Sequence, residues 1–98
     1  MKQLLNTLYI TTRECKLSLD NEGILVNKPD GTHVRIVGHT IDSIVCFGNA
    51  SVTTQLVRYC GRHGITITYL SEGGTFYGRI QGQTTGNIML RANQFHHL

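Results

Sequence analysis

Cys60 and His63 stand three residues apart, close enough on a helix for thiol and imidazole to touch. Such a pair can act as a nucleophile when the thiolate is stabilised and accessible. Here both fall on the apolar stripe of the one clear helix, so packing is what the sequence assigns them. The carboxylates Glu14, Asp20, Glu22, Asp30, Asp42 and Glu72 are scattered. Most fall in predicted turns, where Asp and Glu serve as solvated turn residues, and Asp42 reads as a strand-start cap. No HExxH, no DxD and no phosphate-binding glycine-rich loop occurs. His96 and His97 are adjacent, so on a helix they point about 100° apart, and no third ligand accompanies them. The arginines are the better candidates. Arg58 and Arg62 share a helix face with Gln55, Arg79 lies in the last predicted strand, and Arg91 follows a glycine-containing linker. Guanidinium forks suit phosphate oxygens. A solvated face with an occasional ion pair is the plainer reading of the same residues. No aromatic ladder is present, so stacking on single-stranded bases has no support.

Composition sets the scale. The chain has 98 residues, which make one small domain with a core but no deep enclosed cavity. Hydrophobic residues are 40% and charged residues only 15%, with eleven glycines and one proline: a globular, turn-rich composition. The net charge is +3, and six of the nine basic residues are arginine. So mild an excess is compatible with a nucleic-acid partner without demanding one. Cys15, Cys46 and Cys60 are odd in number, widely spaced and each in apolar context. They read as buried free thiols in a reducing compartment. No apolar run approaches the ~20 residues that span a bilayer, and the first residues lack a signal-peptide core. A cytoplasmic protein is expected, with no membrane partner.

The elements that must position the arginines are mostly strands. Leu4 to Ile10 reads as a strand covered on both sides. Cys15, Leu17 and Leu19 alternate with Lys16 and Ser18 in the next. Asp20-Asn21-Glu22-Gly23 and Lys28-Pro29-Asp30-Gly31 are tight turns, by side-chain-to-backbone bonding, preset proline φ and glycine. They predict two successive hairpins, an antiparallel meander ending in the strand His33 to Val37. Ile41 to Phe47 is nearly all apolar and is expected at the centre of a sheet. Ser51 is the expected N-cap of a helix over 51–63, whose buried stripe is Val52, Leu56, Tyr59, Cys60 and His63. Gly64 ends it. Gly61, costly inside a helix, suggests close packing on a neighbouring backbone. ITITYL (65–70) and TFYGRI (75–80) form a further hairpin. Residues 82–86 read as a linker, and Asn87 as the cap of a new amphipathic helix over Ile88, Met89, Leu90, Ala92 and Phe95. The fold class expected is mainly β, with sandwich-like antiparallel strands and one inserted helix. The expected domains are 1–81, a linker at 82–86, and the truncated start of a helical domain at 87–98.

The order of segments matters as much as their type. TLYITT near the start, a KPDG hairpin, IVCFGNASVTTQLVRYCGRHGITITYL and then GRIQGQTTGNIMLRANQF run through the whole chain. This series closely resembles the N-terminal region of the CRISPR spacer-acquisition integrase, the universal Cas-one DNA endonuclease family. The resemblance implies a β-sandwich-like domain that forms a homodimer and offers basic residues to duplex DNA, the spacer precursor. It implies a linker to an all-helical domain carrying a Glu, His and Asp metal site for Mg or Mn. None of those three has a match here, so the 98-residue chain is expected to be inactive alone, with no catalytic and no metal residues. The small Cas-two partner is expected to meet the helical domain. By the same resemblance Arg58 and Arg79 are the first DNA-contact candidates, with Arg62 and Arg91 behind them. The competing class is an independent small β-rich binding or scaffold module with no nucleic-acid role, which the reading frame beyond Leu98 would reveal. A third class, a complete small enzyme, would need nuclease activity from this chain itself.

Overall fold

The computed structural model describes residues 2–4, 6–21, 23–82 and 88–92, with side chains from 6 onward except at 39 and 88–92. Among the described residues ten strands form two sheets, with one α-helix packed beside them. In chain order they are β1 (Lys2–Leu4), β2 (Thr7–Ile10), β3 (Lys16–Asp20), β4 (Gly23–Asn27), β5 (His33–Val37), β6 (Ser43–Phe47), β7 (Ser51–Val52), α1 (Thr54–His63), β8 (Thr66–Leu70), β9 (Phe76–Gly82) and β10 (Ile88–Ala92). A short 3₁₀ turn, Gly38–Thr40, joins β5 to β6. The larger sheet has the order β1-β2-β6-β8-β9-β10, the smaller β5-β4-β3-β7. The mainly β fold with a single inserted helix is as the sequence indicates.

The hairpins form where turn chemistry predicts them. β3, β4 and β5 are an antiparallel meander. Its first turn holds Asn21 at φ 58 and its second places Gly31 at φ 93, the left-handed geometry that Asn and Gly tolerate. Asp30 closes the second turn by accepting bonds from the Thr32 N–H at 2.9 Å and the Thr32 hydroxyl at 2.7 Å. Those bonds hold the Asp30 carboxyl below its ordinary value.

Three expectations are corrected. First, β6 is central as expected, but it runs parallel to both β2 and β8. A parallel pair needs a long connection rather than a tight turn. Here the three-stranded meander serves as one crossover and β7 with α1 as the other. Second, the helix begins at Thr54, with Thr53 as its N-cap, whose hydroxyl accepts the Leu56 N–H at 3.4 Å. Ser51 does not take that role, because it is held in β7 opposite Lys16 of β3 and the chain turns helical only at Thr54, out of reach of its hydroxyl. Third, Ile88–Ala92 is a strand rather than the first turns of a helix. It pairs antiparallel with β9, Leu90 facing Ile80 and Arg91 facing Arg79, and β9 itself runs on through Gly82. The open edge of β9 gives this apolar stretch a ladder to join, which overrides its helical spacing. Of the expected linker 82–86, residues 83–86 lie outside the described residues, as do Asn87, expected to cap a helix, and the tail 93–98 with Phe95, His96 and His97.

The core lies between the two layers. Leu8, Ile10, Ile44, Cys46 and Ile67 come from the larger sheet, Leu17, Ile24 and Val26 from the smaller. α1 fills the space beside the smaller sheet, under β8 and β9, and buries Leu56, Tyr59, Cys60 and Gly61. His63, assigned to the same stripe from its spacing, is exposed at the helix end. Gly64 closes the helix at φ 72 as expected.

Candidate nucleic-acid interface

The helix offers two faces of opposite character. Inward, Leu56 and Cys60 are fully buried and Tyr59 is 5% exposed. Outward, Gln55, Arg58 and Arg62 are all exposed. Arg58 and Arg62 are one helical turn apart, so their guanidinium groups project from neighbouring positions on the same face. Neither arginine makes an ion pair among the described residues. Both are free to meet an anion.

The Cys60–His63 pair is not a catalytic unit. Burial pushes the Cys60 thiol up to about 12, so it holds no thiolate at neutral pH. His63 turns away from it. The imidazole stacks on Tyr59 with ring centroids 4.1 Å apart, and its Nδ1–H donates to the Tyr59 carbonyl at 2.9 Å. That bond satisfies a carbonyl in the last turn, a common use of His at a helix C-terminus. Cys46 is likewise pushed up to about 12, by burial first and then by its neighbours Cys15 and Cys60. All three cysteines are buried free thiols. Among the described residues no three His, Cys, Asp or Glu side chains gather to hold a metal ion.

The four arginines do not form one surface. Ile80 packs on the core and Gly82 meets α1. Successive side chains alternate across a strand, so Arg79 and Gln81 face the side of the large sheet away from the helix. Arg58 and Arg62 lie on one side of that sheet, Arg79 on the other. Arg91 occupies the ladder position directly opposite Arg79.

A second polar feature escaped the sequence reading. Arg13–Glu14, Gly48–Asn49 and Ser71–Gly73 lie beyond the carboxyl ends of the three parallel strands, around an open cavity of about 500 Å³. Arg13 spans its rim to Glu72, with Nε at 2.5 Å from one carboxylate oxygen and a terminal nitrogen at 3.2 Å from the other. The partners are 59 residues apart in the chain. Nothing local in either loop announces the pair.

Comparison with known proteins gives the arrangement a family. The family model described as "CRISPR associated protein Cas1" matches residues 8–98. "CRISPR-associated endonuclease Cas1 1" of Chlorobaculum tepidum is 39% identical over 95 residues, covering 97% of this chain and 28% of that protein. The chain thus spans little more than a quarter of that relative's length. Among solved structures, "Crystal structure of TtCas1-DNA complex" superposes with TM-score 0.68 at 18% identity, over 84% of this chain and 32% of that one. "Cas6-RT-Cas1--Cas2 complex" superposes with TM-score 0.73 at 17% identity, over 83% and 9% respectively. Both likenesses are likenesses of fold. With a family match over nearly its whole length and the two-sheet, one-helix fold in place, this chain belongs to the Cas1 family of CRISPR-associated proteins.

Proposed function

We propose that this domain docks duplex DNA and pairs with a second copy of itself, within a CRISPR adaptation integrase that inserts new spacers into the array. The observation that carries the reading is the outward face of α1. Arg58 and Arg62 stand exposed one turn apart, on a helix whose other face is locked into the core. Rigid placement lets two guanidinium groups hold backbone phosphates without ordering a loop, and phosphate contacts position DNA without reading its sequence. Membership in the Cas1 family supports a DNA partner, as does a structural neighbour that is a Cas1–DNA complex. A second neighbour, a complex of Cas1 with Cas2, supports Cas2 as a partner of the longer protein.

The chemistry belongs elsewhere in this proposal. A Mg- or Mn-dependent endonuclease centre would be supplied by a helical part of the longer protein, as would the contact with Cas2, in the cytoplasm. The described residues contribute position and charge. The test is fluorescence anisotropy with a labelled duplex of unrelated sequence. Wild type binds weakly and without sequence preference, and Arg58→Ala and Arg62→Ala each lose several-fold. Equal affinity of wild type and the double variant would remove the helix face from the account.

A further inference from the structure

The helix and the smaller sheet lie side by side in one layer, and their outward side chains make one continuous surface. In β3 the buried Leu17 and half-buried Leu19 pack on the core, so Lys16, Ser18 and Asp20 point outward. The ladder sets Lys16 opposite Ser51 of β7, and the Thr53 N–H donates to the Leu17 carbonyl at 3.0 Å. The helix thus starts one short strand away from Lys16 and packs against β3. Lys16, Ser51, Thr54, Arg58 and Arg62 are all exposed along this run.

The charges of this surface are one-sided. On the strands and helix of the layer the outward cations are Lys16, Arg35, Arg58 and Arg62, and Asp20 is the one outward carboxylate among the described residues. Asp20 is spent on Arg35, whose Nε lies 3.3 Å from its Oδ2 and whose terminal nitrogen donates to its carbonyl at 3.3 Å. No Asp or Glu occurs anywhere from residue 43 to residue 71. Lys16, like Arg58 and Arg62, makes no ion pair among the described residues. Surfaces that meet DNA are much more positive than those that meet protein, and a run of three unpaired cations has that character.

We infer that Lys16 is a third phosphate contact, and that the duplex crosses from α1 over β7 onto the smaller sheet. The inference rests on the proposal above that the outward face of α1 holds DNA. Arg58 and Arg62 stand about 6 Å apart along the helix axis, the span of about two nucleotides in a strand that rises about 3.4 Å per nucleotide. Lys16, level with Ser51, sits past the amino end of the helix and carries the line of contacts further in that direction. Its compact ammonium needs no fork geometry, so a flexible stem suffices to bring it to a phosphate oxygen. Arg35, held by Asp20, lies where the unpaired strip ends.

Fluorescence anisotropy over a salt series, with a labelled duplex of unrelated sequence, tests this. Lys16→Ala, Lys16→Arg and Lys28→Ala are set beside wild type and the double Arg58→Ala, Arg62→Ala variant, with thermal melts to check folding. Lys28 lies in the β4–β5 turn, on the side of β3 away from the helix, and controls for the loss of one charge. Lys16→Ala is expected to weaken binding several-fold and to reduce the magnitude of the slope of log affinity against log salt by about one. Lys16→Arg keeps both, and Lys28→Ala changes neither by as much. Equal losses in Lys16→Ala and Lys28→Ala would mean that overall charge acts and not this contact, which overturns the inference. Wild-type binding by Lys16→Ala, with affinity lost in the double arginine variant, overturns it too and leaves the helix face standing. If the arginine variant also binds as wild type does, the reading of the helix face falls and this contact with it.

Discussion

The backbone of Gly61, in the last turn of α1, lies directly against Gly82 at the end of β9. A Cβ added to Gly82 would collide with the Gly61 carbonyl oxygen and come within 2.8 Å of its Cα and carbonyl carbon. Backbone meets backbone, and neither strand nor helix can give way alone. This contact seats the helix on the sheet and so sets the level at which Arg58 and Arg62 stand.

Gly82→Ala is therefore expected to destabilise the domain by about 2 kcal/mol or more, as overpacking against main chain does. A thermal melt is the check, with a fall of roughly 10 °C at this chain size. Gly64→Ala is the contrast. Its φ is 72 but no atom lies within 4 Å of the added methyl, so only the left-handed conformation is penalised, by about 1 kcal/mol. An effect at Gly82 no larger than that at Gly64 would show that the close approach to Gly61 carries no penalty.

Alkaline pH should unfold the domain through its buried thiols. Cys46 and Cys60 rise from an ordinary 9.0 to about 12 in the fold. Tyr69, packed beside them, rises from 10.0 to about 12, again by burial first. The folded state holds these protons more tightly than the unfolded chain does. Their contribution is thus complete below about pH 9 and is lost as pH climbs from there toward 12. Denaturant melts across pH 7 to 11 should show stability falling above 9, with Cys60→Ala flattening the fall at the cost of a lower plateau. At pH 8 an aromatic disulfide reagent should label none of the three thiols until the protein unfolds.

The Arg13–Glu72 pair should matter little to stability. Its side chains are 77% and 53% exposed, and ion pairs so open to water contribute about 0–1 kcal/mol. Glu72→Gln is expected to shift the melting temperature by no more than a few degrees, and less at high salt. A larger, salt-insensitive loss would mean that the pair holds the loops at the carboxyl ends of the parallel strands together.

Much of this is legible in the residues alone. Asp20–Gly23 and Lys28–Gly31 announce their turns by chemistry that acts within four residues. The stripe of Leu56, Tyr59 and Cys60 announces the buried helix face, and Gly61 announces a close neighbour. What stays hidden depends on partners distant in the chain. Ser51 and Thr53 are both competent caps, and only the pairing of Ser51 with β3 decides between them. Ile88–Ala92 carries a helix-like spacing, but the free edge of β9 makes it a strand. His63 shares the stripe's spacing, yet the helix ends there and leaves it in solvent. The arginines show the same limit. Spacing puts Arg58 and Arg62 together because they share a helix, while the assignment of Arg79 to the far side of the sheet depends on which of its neighbours meet the core.

The central claim is that the outward face of α1 holds DNA by its phosphates, and the salt dependence of duplex affinity tests it most directly. For wild type, log affinity should fall linearly with log salt. Replacing both Arg58 and Arg62 by Ala should weaken binding at every sequence alike and reduce the magnitude of that slope by about two, close to one per phosphate contact removed. A slope unchanged in the double variant, with affinity intact, would contradict the account and leave the helix face as ordinary solvated surface.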